Sequence, residues 1–332
     1  MANIKDVAEK AGVSTATVSH VINETRYVSE ETKNKVLKSM DELNYEPNNI
    51  ARSLRSKETK TIGFIVPDIS NFFFTEMAHY IEQELKEKGY SLILNNSNED
   101  IENEKKQLKT LYSQMIDGLI IAPTRGDQSY LDKIRQRNKT PIVFIDRKPE
   151  NINGIFILVD NYQGAYDAIE LLIKKGYQKI SIITGLSGLT TTKERLDGYK
   201  AALEENNIEV DDSLIKIGDS KYESGYKLTA ELVENTDTDA IFVANNLMAI
   251  GSMFYLKKQK INIPSDIALI GFDNYKWAEI TAPPLTSVRQ PVDEMGIKSV
   301  EVLLKKIKEN HLQQDFSKEV RLKTEIIERE SC

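Results

Sequence analysis

The sequence has almost no cysteine: its 332 residues include one, Cys332. A lone cysteine excludes an intramolecular disulfide and the usual cysteine-based zinc site. Histidine is also scarce, since only His20, His79 and His311 occur, and none of them has metal-ligand spacing with another. We therefore expect no bound metal and no cofactor.

Long apolar runs and catalytic signatures are missing as well. No stretch approaches the roughly 18 apolar residues that span a membrane, and charged residues interrupt the first ten positions, unlike a signal peptide. Neither the phosphate loop GxxxxGK[ST] nor the nucleophile motif GxSxG occurs. We expect a cytoplasmic protein that contacts no membrane and is not an enzyme. A hydrolase with two carboxylates stays open, because no carboxylate pair is singled out.

The net charge of -7 is unevenly distributed along the chain. Residues 1–60 contain 10 basic and 9 acidic residues, whereas the remainder contains 34 basic and 42 acidic residues. A nucleic-acid-binding head on an acidic body has this asymmetry, and so does ordinary scatter of surface charge. The charge distribution does not choose between these two interpretations, so the helical pattern of the head is needed as well.

The first 45 residues predict three short helices. Asn3, Ser14 and Ser29 are each placed to cap a helix, and Gly12 permits a tight turn between the first two. The third helix, "EETKNKVLKSMDELNY", is expected to present an apolar face of Val36, Leu37, Met40 and Leu43. Two helices joined by a glycine turn and braced by a third make a helix-turn-helix.

A helix-turn-helix places its second helix in the major groove of DNA. The outward residues of that helix are Thr15, Ala16, Ser19 and His20. Hydroxyl and imidazole groups hydrogen-bond base edges, and methyl groups contact the thymine methyl. A purely structural three-helix module is the alternative that the helix pattern alone leaves open.

The segment "PNNIARSLRSKETKT" from Pro47 is polar and basic. An isolated helix of this length is marginal in water, but it could fold when two copies pair on DNA. Leu54 would then be an apolar wedge in a minor-groove step, with Arg52 and Arg55 on the phosphates. The alternative is a flexible linker.

From Thr61 onward, short β-branched runs such as "TIGFIVP" and "KISIITG" alternate with amphipathic stretches such as "AYDAIELLIKKG". This alternation predicts parallel sheets covered by helices, in two lobes. Ligands of such folds bind at the carboxyl ends of the strands. Polar or aromatic residues follow the strands at Asp68, Asn71–Phe74, Asp146–Arg147, Asp160, Asn245–Asn246, Asp273 and Trp277. Such residues also cap helices or fill cores, so spacing alone does not assign any one of them to a ligand.

Three strings carry a specific resemblance: "IKDVAEKAGVSTATVSHVIN", "VSEETKNKVLKSMDELNYEPNNIARSL" and "TIGFIVPDISNFFF". In order and spacing they resemble the lac repressor family of bacterial transcription regulators over essentially the whole chain. The head resembles the purine and ribose repressors in particular, which share "VSHVIN" and "ARSL". The resemblance implies that Thr15, Ala16 and His20 read bases and that Leu54 kinks the operator centre. The complete DNA-contact set that we expect is Thr15, Ala16, Thr17, Ser19, His20, Asn23, Arg26, Arg52, Leu54 and Arg55.

The body resembles the family's regulatory domain and the periplasmic sugar-binding proteins. Matched residue by residue, the resemblance assigns effector contacts to Phe73, Phe74, Asp160, Arg195, Asn245 and Asp273, with Thr191 and Trp277 as further candidates. Leu189 stands where the purine repressor has an effector-contacting arginine, and Ser220 where it has a stacking phenylalanine. The implied effector is therefore a sugar or sugar derivative, with ribose as a lead.

The predicted fold is an N-terminal all-α helix-turn-helix head with a hinge helix, followed by a two-lobed α/β, periplasmic-binding-protein-like domain with parallel sheets. The expected domains are the DNA-binding domain at 1–46, the hinge helix and linker at 47–59, and the effector-binding and dimerisation domain at 60–332. Within the last, the N-lobe is expected at about 61–160 plus 291–322, and the C-lobe at about 161–288.

The predicted function is a homodimeric repressor of a carbohydrate-use operon that a sugar releases from double-stranded operator DNA. A global catabolite-type regulator that answers to a phosphoprotein is the alternative within the family, although no sequence feature indicates a protein corepressor. A sugar-binding transport protein is the alternative from another class.

Overall fold

The computed structural model describes residues 2–23, 25–45, 58–309 and 318–332, apart from the side chains of 136–138. The chain divides into two compact units, Met1–Thr59 and Lys60–Cys332. The predicted hinge helix, with Arg52, Leu54 and Arg55, lies outside the described residues, as does His311.

The head unit contains three helices, α1 (Ile4–Ala11), α2 (Thr15–Asn23) and α3 (Glu30–Glu42). Asn3 and Asp6 form a reciprocal capping box at the start of α1, and Gly12, with φ +65°, ends it in the left-handed conformation that glycine adopts without strain. The Ser14 hydroxyl accepts a hydrogen bond from the Thr17 backbone N–H at 3.1 Å. The buried core of the head consists of Val7, Ala8, Val18, Val21 and Val36.

The third helix differs from its prediction in two respects. It ends at Glu42, with Leu43 as its C-cap, and so stops three residues before the predicted Tyr45. Leu37 is 45% exposed and does not belong to the apolar face. Val36, Met40 and Leu43 follow helical spacing on one side of α3, whereas Leu37 is turned about 100° away from Val36.

The first lobe is built on a six-stranded sheet of order β2-β1-β3-β4-β5-β11, in which every pairing is parallel. Its strands are β1 (Thr61–Val66), β2 (Ser91–Asn96), β3 (Gly118–Ile121), β4 (Ile142–Ile145), β5 (Ile155–Val159) and β11 (Lys318–Leu322). Its helices are α4 (Phe72–Glu87), α5 (Ile101–Ser113), α6 (Ser129–Asn138) and α12 (Val292–Lys308). Two apolar clusters pack against this sheet, as expected of strands that are buried on both faces.

The second lobe repeats this plan with the sheet order β7-β6-β8-β9-β10-β12. Its strands are β6 (Ile180–Thr184), β7 (Ile215–Ile217), β8 (Ala240–Val243), β9 (Ala268–Phe272), β10 (Thr286–Arg289) and β12 (Glu325–Ile327). Its helices are α7 (Asn161–Lys174), α8 (Thr190–Glu205), α9 (Tyr222–Asn235), α10 (Asn246–Gln259) and α11 (Lys276–Ile280), with a 3-10 turn at Asp212–Leu214. The edge strand β12 pairs antiparallel with β10, so this sheet is not wholly parallel as predicted.

The chain passes between the two sheets three times, after β5, after β10 and after β11. The strands of the first sheet lie within 61–160 and 291–322, and β12 at 325–327, beyond both predicted lobe ranges, joins the second sheet. Among the helices of the described residues, none combines the length and the apolar composition that a membrane span requires. The predicted fold class, a helix-turn-helix head before a two-sheet α/β body, is confirmed.

Candidate functional site

The first candidate surface is the outer face of α2 in the head. Val18 and Val21 are buried, and they fix which side of the helix faces the head core. Thr15 and Ala16, at the helix start, are exposed. The side chains in best position to touch DNA are therefore those of the first turn, as a helix-turn-helix requires.

Other predicted DNA contacts on α2 have partners of their own. The Asn23 side-chain amide donates to the Ser19 carbonyl at 2.7 Å and contacts the Ser19 hydroxyl at 3.2 Å. A hydrogen bond of 2.8 Å joins His20 Nδ1 to the Thr25 hydroxyl, and it orients the half-exposed imidazole. The Thr17 hydroxyl bonds to Ser14 at 2.9 Å, and Arg26 is exposed in the loop after the helix.

The second candidate site is a cavity of about 60 Å³ between the two lobes, at the carboxyl ends of strands from both sheets. Six of the eight predicted effector contacts line it: Phe73, Phe74, Thr191, Arg195, Asn245 and Asp273. Leu189 and Ser220 line it too. Bringing these residues together is a consequence of the parallel topology, which places strand ends at one edge of each sheet.

Two predicted effector contacts, Asp160 and Trp277, lie elsewhere. The Asp160 carboxylate caps α7 and accepts from the Gln163 backbone N–H at 3.0 Å, so its charge is used at the helix end. Trp277 lines a separate cavity of about 820 Å³ on the second lobe, together with Phe254 and Ile280. Neither residue lines the cleft cavity.

Several lining residues were not among the predicted contacts. Asp68, Asn71, Asp146 and Arg147 line the cavity. The strand-end pattern of the sequence picks out all four, although it does not assign any of them to a ligand. Glu99 and Gln290 line it as well. They lie in a loop and at a crossing between the lobes, where the sequence carries no comparable signal.

Asn71 also joins the lobes directly. Its side-chain oxygen caps α4 by accepting from the Phe73 backbone N–H at 3.0 Å. The same oxygen accepts from Asn246 Nδ2 across the cleft at 2.8 Å. One side chain therefore anchors both the start of α4 in the first lobe and the start of α10 in the second.

Arg195 brings a buried positive charge to the cavity. Its Nε donates to Asn161 Oδ1 at 2.8 Å and its Nη1 to the Ala244 carbonyl at 2.8 Å. The guanidinium lies 3.6 Å above the centre of the Phe272 ring. Burial lowers the pKa of Arg195, because its hydrogen-bond acceptors are neutral and no carboxylate of the described residues lies within 4 Å of it.

Arg147 brings a second guanidinium, in a different environment. Its Nη2 pairs with Glu99 Oε1 at 2.6 Å, its Nε lies 3.4 Å from Asp146 Oδ2, and its Nη1 donates to the Pro123 carbonyl at 3.0 Å. Burial acts to lower the pKa of Arg147, but Glu99 and Asp146 outweigh it and the pKa is raised. The charge of Arg147 is thus compensated within the protein.

Two buried aspartates add carboxyl groups with raised pKa values to the cavity lining. Burial raises the pKa of Asp146 to about 6, against the opposing effect of Arg147 and Arg195. Burial also raises the pKa of Asp273, although Arg195 and a hydrogen bond from Gln290 Nε2 oppose the shift. Glu99 Oε2 and Gln290 Oε1 are buried without a hydrogen-bond partner among the described residues, so the lining retains acceptors for a ligand's hydroxyl groups.

The cavity lining suits a neutral polar ligand better than a metal. In the part of the chain that the structure describes, no group of three or more histidine, cysteine, aspartate or glutamate side chains could hold a metal ion. The carboxylates of Asp146 and Asp273 are accompanied by arginines, which compensate their charge. Hydroxyl groups can both donate to these carboxylates and accept from the guanidinium.

Comparisons with known proteins match the head and the body of the chain separately. Residues 59–327 match the family described as "Periplasmic binding proteins and sugar binding domain of LacI family", and residues 3–48 match "Bacterial regulatory proteins, lacI family". The HTH-type transcriptional repressor PurR of Photobacterium profundum is 38% identical over 95% of either chain. The ribose operon repressor of Escherichia coli (strain K12) is 36% identical over 95% of this chain and 96% of its own.

Among solved structures, the lac repressor dimer bound to operator and the anti-inducer ONPF superimposes with a TM-score of 0.87. The two chains are 27% identical, and the match covers 99% of this chain and 98% of the other. The similarity therefore extends over the head and both lobes.

Proposed function

Because the chain belongs to the lacI family of bacterial regulatory proteins, it is a ligand-responsive, DNA-binding transcription regulator and not an enzyme, and we propose that it represses a carbohydrate-use operon and is released from operator DNA by a sugar or sugar derivative. A transport protein that binds sugar would have no use for the DNA-binding head at residues 3–48.

The observation that carries the proposal is the lining of the cleft cavity. Arg195 and Asn245 offer hydrogen-bond donors, Asp273 offers acceptors, and all three are buried. Phe73 and Phe74 add aromatic surface beside them. A sugar combines hydroxyl groups, which donate and accept at once, with an apolar ring face, and this lining complements both.

The lining also argues against a purine effector. Leu189 and Ser220 supply neither a cationic partner nor a planar one, and both line the cavity. The relatives named PurR and the ribose operon repressor are almost equally similar in sequence, at 38% and 36% identity. Overall sequence similarity therefore does not distinguish a sugar effector from a purine effector, and the distinction rests on the residues that line the cavity.

The mechanism we propose is a shift between two lobe arrangements. A ligand that binds one arrangement more tightly moves the equilibrium toward it, and the difference in the two affinities sets the size of the shift. In a homodimer, two copies of α2 would reach adjacent major grooves, with Thr15, Ala16 and His20 at the bases. Sugar binding would then disfavour the DNA-bound arrangement.

A thermal-shift screen of the purified chain tests the effector class first. The panel contains D-ribose, D-glucose, D-fructose, their phosphates, disaccharides, hypoxanthine and guanine. We expect a sugar to raise Tm progressively with concentration, as linkage requires, and the purines to leave Tm unchanged. A purine that raises Tm while no sugar does would contradict the proposal.

A DNA titration tests the direction of the response. A duplex selected from a random pool by the purified chain serves as the operator, and binding is followed by fluorescence anisotropy at fixed salt. We expect the sugar found in the screen to weaken binding to the selected duplex and to leave binding to an unselected duplex much less affected. Tighter operator binding with sugar would show corepression instead of induction.

A further inference from the structure

A continuous chain of hydrogen bonds leads from the effector cavity to the boundary between the lobes. It begins at Arg195, whose Nε donates to Asn161 Oδ1 at 2.8 Å. Asn161 is fully buried and is the first residue of α7, directly after the crossing that follows β5. Its Nδ2 donates onward to Glu194 Oε2 at 3.2 Å and also contacts the Val159 carbonyl at 3.4 Å.

The next bond crosses from one lobe to the other. Glu194 lies on α8 of the second lobe, and its Oε1 accepts from Nη2 of Arg321 at 2.7 Å. Arg321 lies on β11 of the first lobe, one residue before that strand ends. One carboxylate oxygen of Glu194 therefore accepts from a residue of the second lobe, and the other accepts from a residue of the first lobe.

Arg321 is itself held in place by the first lobe. Its Nη1 contacts the carbonyl of Val159, the last residue of β5, at 3.3 Å. Its Nε donates to Glu319 at 2.5 Å, and Glu319 in turn accepts from Lys148 Nζ at 2.7 Å. The guanidinium of Arg321 is therefore fixed within the first lobe, and its ion pair with Glu194 ties the position of that carboxylate to the first lobe.

We propose that Glu194 and Arg321 are positioning residues for effector binding: their ion pair holds Asn161, and through it the Arg195 guanidinium, so that effector affinity depends on how the lobes are arranged at their crossings. This inference rests on the proposed function in one respect, namely that Arg195 touches the effector. Because the ion pair joins two lobes, a rotation of one against the other lengthens or shortens it.

The physical basis is that Arg195 depends on neutral acceptors for its position. Asn161 presents its oxygen to Arg195 while its amide nitrogen points toward two acceptors. The Glu194 carboxylate is the nearer of them and the charged one, at 3.2 Å against 3.4 Å for the Val159 carbonyl. Without Arg321, the Glu194 carboxylate is free to turn toward solvent, because 24% of its side chain is already exposed. Asn161 would then lose its orientation, and the buried guanidinium would lose one of its two hydrogen-bonded anchors.

The variant R321L removes the interlobe partner, and K193Q is its matched control. Lys193 lies on α8 beside Glu194, and its ion pair with Asp197 stays within that helix at 2.6 Å. The first readout is the rate of hydrogen exchange at Arg195 Nε–H in the ligand-free full chain. The exchange is detected by NMR after arginine-selective ¹⁵N labelling, and the Arg195 signal is identified by its absence in R195M. The second is the Kd for D-ribose from calorimetry.

We expect R321L to accelerate exchange at Arg195 Nε–H about tenfold and to raise the Kd for D-ribose about fivefold, in the range for the net loss of one ordinary hydrogen bond. R321K should retain most of the wild-type behaviour, and K193Q all of it. Equal exchange rates in R321L and the wild type would overturn the inference, and so would an equal effect of K193Q.

Swapping the two charged residues distinguishes positioning of Arg195 from simple tethering of the lobes. The double variant E194R/R321E restores an ion pair between the lobes but leaves Asn161 Nδ2 without its carboxylate acceptor. We expect exchange at Arg195 to stay fast in the double variant. Full recovery of slow exchange would show that the tether alone is sufficient and would overturn the relay through Asn161.

The exchange readout needs no ligand, so it is independent of the effector. If D-ribose fails to bind the wild type while R321L still accelerates exchange at Arg195, the choice of ribose as effector is wrong and the positioning inference stands. If D-ribose binds the wild type and R321L equally well and exchange is unchanged, the sugar proposal stands and the inference fails.

Discussion

The cavity contains two buried arginines, and they are held in opposite ways. Arg147 is compensated by two carboxylates, those of Glu99 and Asp146. Arg195 is held by an amide oxygen, a backbone carbonyl and the face of Phe272. The pKa of Arg147 is raised by its partners, whereas burial lowers that of Arg195.

The difference separates a structural charge from one that is available to a ligand. A buried guanidinium that lacks an ion pair is held at a cost in desolvation, and a ligand that supplies acceptors recovers part of that cost. A guanidinium whose carboxylates are already in place gains less from a ligand. Arg147 should therefore matter mainly for folding, and Arg195 mainly for binding.

The largest expected effect is on stability, from R147M. The substitution leaves the buried Asp146 and the half-buried Glu99 without their cation, so we expect the free energy of unfolding to fall by about 4 kcal/mol, within the range for breaking a buried ion pair from one side. Urea unfolding measures it. R125M removes an exposed arginine of the same lobe and should change stability little; equal effects of the two variants would refute the assignment.

The next effect is a dependence of stability on pH, from Asp146. Its pKa is about 6 in the folded protein and about 3.9 in an unfolded chain. Between these values the folded state holds a proton that the unfolded state has released, so stability falls as pH rises from about 4 to about 6 and then levels off. The shift corresponds to about 3 kcal/mol.

Urea unfolding at several pH values compares the wild type with D146N. Because asparagine does not titrate, we expect this component of the slope to disappear in the variant. The neighbouring charged groups, Arg147, Arg195, Asp273 and Glu99, remain in both proteins. An identical slope in the two proteins would mean that Asp146 does not carry the effect.

The smallest of the three effects in free energy is on binding, from R195M. We expect the Kd for the sugar found in the thermal-shift screen to rise about 100-fold, close to 2.7 kcal/mol, with a much smaller change in stability than R147M causes. Calorimetry measures the affinity. D160A is the control, because Asp160 caps α7 outside the cavity; wild-type affinity in R195M would remove the distinction between the two arginines.

Much of the fold follows from signals that are local in the sequence. Asn3, Ser14 and Ser29 cap the helices that they were expected to cap, because a cap depends only on the residues next to it. The alternation of β-branched runs with amphipathic stretches is likewise local, and it predicts both sheets. Leu37 was misassigned because a helix turns by about 100° per residue, and neighbouring apolar residues need not share a face.

The site was less predictable where different functions use the same residue type. An aspartate after a strand serves equally well as a helix cap or as a ligand contact, and Asp160 is the former whereas Asp273 lines the cavity. The direction in which Trp277 points depends on how α11 packs, which its neighbours in sequence do not determine. Glu99 reaches the cavity through Arg147, a contact 48 positions away in the chain.

The three crossings between the lobes have a consequence for synthesis on the ribosome. Strand β11 pairs with β5, yet about 160 residues that form the second lobe and α12 separate them in the chain. At bacterial elongation rates those residues take roughly 10 to 30 s to emerge. The lobe that is translated first therefore receives its last strand only after five of the six strands of the second lobe have emerged. The nascent chain presents the open edge of β5 to other polypeptides throughout that interval.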